Sequence, residues 1–120
     1  MISRALILVA LLCAVAVPPA VSAATASECQ TAIDELRTAT ADATFIGKNA
    51  EKEEAGLLRK LDGASEALAA GKFDDAVKKL TDYRFHAVTI AEAGKLDPGD
   101  AAVLTQLADD AIACVGSIGA

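Results

Sequence analysis

From residue 24 onward, apolar positions recur every three to four residues, and no stretch alternates with a period of two. That pattern predicts helices and no strands. Cys29, Ile33, Leu36, Thr40 and Ala43 form the seam of a first helix. Its start is expected at Ser27, with Gln30 three residues later in capping-box spacing. Phe45-Ile46-Gly47 marks the break. A second helix, over about residues 50–70, carries the stripe Leu57, Leu58, Leu61, Ala64 and Leu68, with Glu51, Glu53 and Glu54 near the positive end of its dipole. Gly71 is the expected stop. A third runs from about Phe73 to Ala93 on Ala76, Leu80, Tyr83, Ala87 and Ile90, and Gly94 ends it. Asp97-Pro98 then reads as cap and first residue of a fourth, striped by Leu104, Leu107, Ala108, Ala111, Cys114 and Val115. Gly71-Lys72-Phe73-Asp74 and Gly94-Lys95-Leu96-Asp97 echo one another, as one type of helix-to-helix turn used twice would. Four amphipathic helices joined by short links predict an all-α antiparallel four-helix bundle.

The first 23 residues follow another logic. Arg4 opens with positive charge, Ala5 to Val17 is an unbroken apolar run, Pro18-Pro19 breaks it, and Val21-Ser22-Ala23 supplies small residues for cleavage. The run is shorter than the roughly 20 residues that a bilayer span needs. Residues 1–23 are therefore expected to be a cleaved signal peptide, leaving 24–120 as one helical domain. The expected location is outside the cell, or in the periplasmic or cell-wall space.

Cleavage changes the arithmetic of charge and cysteine. The chain carries −6 at pH 7, and losing Arg4 makes it −7. That balance argues against nucleic acid and, after cleavage, against anionic membrane as partners, since both call for a basic surface. Of the three cysteines, Cys13 departs with the signal. Cys29 and Cys114 remain near the ends of the domain and are expected to pair as a disulfide. The bridge would pin the start of the first helix to the end of the fourth.

The stretch from Leu57 to Val115 carries Leu58, Leu61, Ala64, Leu68, Gly71-Lys72, Ala76, Leu80, an aromatic at Tyr83 or Phe85, Gly94-Lys95-Leu96, and the run Leu104 to Ala111. In these residues it resembles the FIMAH domain, a helical module of extracellular bacterial proteins. The resemblance implies an appendage of larger secreted enzymes, with no catalytic residues to carry over. The chain departs from that pattern in its Cys29–Cys114 pair and in reading as a domain on its own.

Candidate chemistry is sparse. His86 is the one histidine; helical spacing places it with Lys79 and Asp82, away from the Leu80 and Ile90 face, where it should be solvated and within reach of Asp82. Tyr83 and His86, three apart, are the candidate ligand contacts, in the manner of haem ligands. Cys29, Cys114 and His86 would give zinc only three ligands, so no metal is expected. The acidic pairs and the Asp97-Pro98-Gly99-Asp100 turn do not match a calcium loop, and no phosphate loop or HExxH is present. Phe85 and Val88 form the candidate interaction surface, at the edge of the buried stripe. Phe45 and Phe73 are expected to seal the ends of the core. The sequence thus predicts an exported, non-enzymatic domain without a cofactor, binding a protein or a cell-envelope component; the alternative is a small-ligand carrier, with haem as one candidate.

Overall fold

Short links between amphipathic helices force each helix back along its predecessor, and the computed structural model takes that form over residues 24–119. The expected signal segment, with Cys13, lies outside the described residues. Four helices follow in order: α1 (Ala26–Asp42), α2 (Ala50–Ala69), α3 (Phe73–Glu92) and α4 (Pro98–Gly119). Each packs on its neighbours in sequence, and α4 closes the ring against α1. The apolar stripes turn inward together. Ile33 and Leu36 of α1, Leu57 and Leu61 of α2, Leu80 and Tyr83 of α3, and Leu104, Ala108 and Val115 of α4 are buried. Phe45 and Phe73 are partly buried against that core. Among the described residues, α4 alone is apolar and long enough to cross a membrane by composition, yet its Leu104, Ala108, Ala111 and Val115 are buried among the other helices.

The helix ends explain where the elements begin and stop. α1 starts earlier than Ser27. Thr25 is its cap, Glu28 N–H donates to Thr25 Oγ1 at 3.1 Å, and Thr25 N–H donates back to Glu28 Oε1 at 2.9 Å. Thr25-x-x-Glu28 and Ser27-x-x-Gln30 have the same spacing, but the ionised glutamate also interacts with the helix dipole, which a glutamine cannot do. Gln30 is spent elsewhere: its amide nitrogen donates to Ser65 O and its carbonyl accepts from Ser65 Oγ, joining α1 to α2. α2 and α3 end in the same way. Lys72 N–H reaches back to Ala67 O and Gly71 N–H to Leu68 O; Lys95 N–H reaches Ile90 O and Gly94 N–H reaches Ala91 O. Both are Schellman motifs, and Gly71 and Gly94 sit at φ +78° and +76°. The echo in the sequence is this one cap, built twice. At α4, Asp97 Oδ2 accepts from Asp100 N–H at 3.0 Å, as its capping position predicts.

Both ends of the bundle are tied. At one end the α1–α2 and α3–α4 links meet in an antiparallel bridge of Phe45 with Leu96, held by Ile46 N–H to Lys95 O and Asp97 N–H to Thr44 O. At the other, Cys29 and Cys114 form a disulfide with their Cα atoms 5.6 Å apart, closing 85 residues of chain. Such a bond belongs to an oxidising environment of the extracellular type.

Candidate functional site

Two glycines decide the shape of the α2–α3 seam. Gly56 and Gly63 lie two turns apart on α2 and face α3. A Cβ on Gly63 would come within 2.8 Å of Lys79 Cδ, and one on Gly56 within 3.4 Å of His86 Cε1. A glycine inside a helix costs about 1 kcal/mol relative to alanine. At Gly63 the missing side chain leaves room for Lys79 to lie across α2, while at Gly56 an added Cβ would just touch His86, two turns along α3 from Lys79. The result is a groove of about 420 Å³, lined by Gly56, Arg59, Lys60, Gly63, Lys79, Asp82 and His86.

His86 enters this groove more deeply than the sequence predicts. Its side chain is 27 % exposed. Nε2 lies 3.1 Å from Glu53 Oε1 on α2, and because a carboxylate only accepts, Nε2 is the donor. Asp82 is not its partner: Glu53 projects from the facing helix, while a one-turn pairing along α3 would hold the ring out in water. Nδ1 is buried without a hydrogen-bond partner. Glu53 also has its second oxygen 3.6 Å from Lys95 Nζ, so this carboxylate links α2, α3 and the α3–α4 connection.

Tyr83 and His86 do not open onto one space. Tyr83 is fully buried, with its hydroxyl 2.7 Å from Thr40 Oγ1 across the core. Thr40 spends its own hydrogen on Leu36 O at 2.7 Å, so Tyr83 donates to Thr40. Burial raises the Tyr83 pKa to about 12, against a smaller lowering by the Thr40 hydrogen bond. With the phenol buried and both imidazole nitrogens either bonded or shut off, this pair offers iron no ligand. Three residues along α3 leave His86 about 60° round the helix from Tyr83, and that offset takes one side chain into the core and the other onto the α2–α3 seam.

The groove's charge is the other feature that the sequence reading overlooked. Arg59, Lys60 and Lys79 have no carboxylate within 4 Å among the described residues, whereas Arg37 is paired with Asp34 and Asp62, and Arg84 with Asp109. The available signal was two mid-helix glycines seven residues apart, each costly unless something packs on it. Phe85, 73 % exposed, stands beside the groove over a second hollow shared with Lys60, Asp82, His86 and Thr89. Val88 next to it is only partly exposed, so the apolar surface here is essentially one phenyl ring. Among the described residues, no cluster of three or more His, Cys, Asp and Glu could hold a metal ion. Comparison with protein-family models, curated proteins and solved structures finds no match.

Proposed function

We propose that this chain is an exported, non-enzymatic binding domain whose working face is the α2–α3 side of the bundle, around Phe85. The observation that carries this reading is the position of Phe85. In a molecule able to bury Tyr83 and partly bury Phe45 and Phe73, this ring stands in water beside a polar groove. Aromatic side chains are enriched among the residues that anchor protein interfaces. The disulfide supports export, as do the signal-like residues 1–23. The FIMAH-like spacing from Leu57 to Val115 supports an accessory module of the cell exterior, spanning the helices that build this face. The test is retention of the oxidised domain on isolated cell envelope and on supernatant proteins. Retention lost in Phe85→Glu supports the reading; equal retention by both forms, or none by either, overturns it.

A second reading, a small-ligand carrier, is favoured by the groove itself. At about 420 Å³ it lies within the range of small-molecule sites, roughly 300–1,000 Å³. In this reading the occupant lies between α2 and α3, with His86 at the wall, and Tyr83 has no contact with it. A thermal-shift screen in which no compound raises the unfolding midpoint would count against it.

A further inference from the structure

We infer that the α2–α3 groove binds a small organic molecule carrying a compact dianionic group of the phosphomonoester kind, with an apolar body laid against Phe85. The inference rests on the small-ligand reading and names its ligand class. Arg59, Lys60 and Lys79 line the groove with only Asp82 opposing them, a local balance of +2 in a chain of −6. Arg37, Arg84 and Lys95 are each spent on a carboxylate, and what sets the groove apart from the scattered unpaired lysines elsewhere is that three cations share one hollow. Lys79 is also placed. Its chain runs over Gly63, with Nζ 3.9 Å from where a Cβ would stand, so the ammonium lies over α2 while the side chain stays exposed.

Length separates a compact anion from a polymer. Gly56 to Gly63 is two turns, about 10 Å at 1.5 Å per residue. Beyond these turns the cationic excess ends. Glu53, joined to Lys95, stands at one end, and past Lys79 at the other Glu66 and Asp75 share the continuing hollow with Lys72. A polyanion running along the seam would leave the excess of positive charge within about one Debye length, 8–10 Å, and gain little from its further phosphates. A single phosphate would lie wholly among the cations. Asp82, inside the same groove, is positioned to accept a hydroxyl or amine hydrogen from the rest of the ligand. Phe85, over the adjoining hollow, supplies the apolar contact.

Phenyl phosphate, inorganic phosphate, benzyl alcohol and long-chain polyphosphate, each titrated calorimetrically into the oxidised domain at low ionic strength, test the inference. Saturable one-to-one binding of phenyl phosphate is expected, weakening with salt. Inorganic phosphate should bind several-fold more weakly and benzyl alcohol not at all. Arg59→Gln and Lys79→Gln should each weaken phenyl phosphate by about tenfold, while Lys48→Gln, an exposed lysine on the α1–α2 link, leaves it unchanged. Gly63→Ala should weaken it too, by displacing Lys79, without lowering the unfolding midpoint; a merely destabilising change would lower both. Absence of saturable binding, binding indifferent to the Arg59→Gln, Lys79→Gln double variant, or preference for polyphosphate overturns the inference. If neutral or cationic compounds raise the midpoint while phenyl phosphate does not bind, the anion assignment falls and the small-ligand reading stands. If nothing raises it, both fall.

Discussion

Tyr83 and Thr40 share one hydrogen bond but do not depend on it equally. Thr40 also donates to Leu36 O, so removing the tyrosine hydroxyl leaves no group stranded. Removing the threonine hydroxyl strands a buried phenol. Tyr83→Phe is therefore expected to cost about 1 kcal/mol and Thr40→Val about 1–3 kcal/mol, with the double variant losing less than the two combined. Denaturant unfolding of the three variants measures this; equal single costs would mean that the proton sits the other way. The same phenol sets the alkaline limit. Its pKa is about 12 folded and 10.0 in an unperturbed chain. Below pH 10 both states are protonated and the buried neutral form keeps its full contribution. Between 10 and 12 only the unfolded chain gives up the proton, so stability falls as pH rises, by about 2–3 kcal/mol across the window. Tyr83→Phe should lack that fall. Because Tyr83 is the single tyrosine and there is no tryptophan, tyrosinate absorbance follows this one group directly.

Among the helices, one substitution has opposite signs at different glycines. Gly94 closes α3 at φ +76°, where an L-residue is strained, so Gly94→Ala should destabilise by roughly 1–2 kcal/mol. Gly56 has helical backbone, and a Cβ there meets His86 Cε1 only at 3.4 Å, ordinary contact. Gly56→Ala should stabilise by up to about 1 kcal/mol. Thermal midpoints moving in opposite directions would show it; a fall in both would mean that the α2–α3 seam is tighter than the 3.4 Å contact implies. This contrast marks what the sequence could reveal. Helix number, the stops at Gly71 and Gly94 and the Asp97-Pro98 start were legible, because stripes and caps are local chemistry. The start of α1 was displaced by two residues, because two equally spaced capping boxes compete and only the charge of Glu28 separates them. The Phe45–Leu96 bridge and the His86–Glu53 contact join residues far apart in sequence, and helical spacing carries no information about either. The groove was half visible: Lys79, Asp82 and His86 fall on one face by spacing, but their opposition to Arg59, Lys60 and two glycines needed the fold.

For the whole molecule, the two ends of the bundle are held by different means. Chain connectivity and the Phe45–Leu96 bridge secure one end. At the other, only the turn at Gly71 is continuous, and α1 and α4 are joined by Cys29–Cys114, with Ala24 N–H to Ser117 Oγ at 3.3 Å as a minor addition. Closing 85 residues is worth roughly 4–5 kcal/mol in the chain-entropy account, against about 5–15 kcal/mol for a whole domain. Reduction should therefore remove a large share of the stability, and remove it unevenly. Hydrogen exchange on the reduced protein is expected to accelerate first in the amides of α1 near Cys29 and of α4 near Cys114, while those around Leu57, Ala87 and Leu104 stay protected until global unfolding. Uniform acceleration along all four helices would mean that the bond acts only on the unfolded chain and holds no local end closed. If the α2–α3 groove is the working face, phenyl phosphate binding should survive mild reduction longer than the α1–α4 contact does, because the groove belongs to a helix pair that the disulfide does not join.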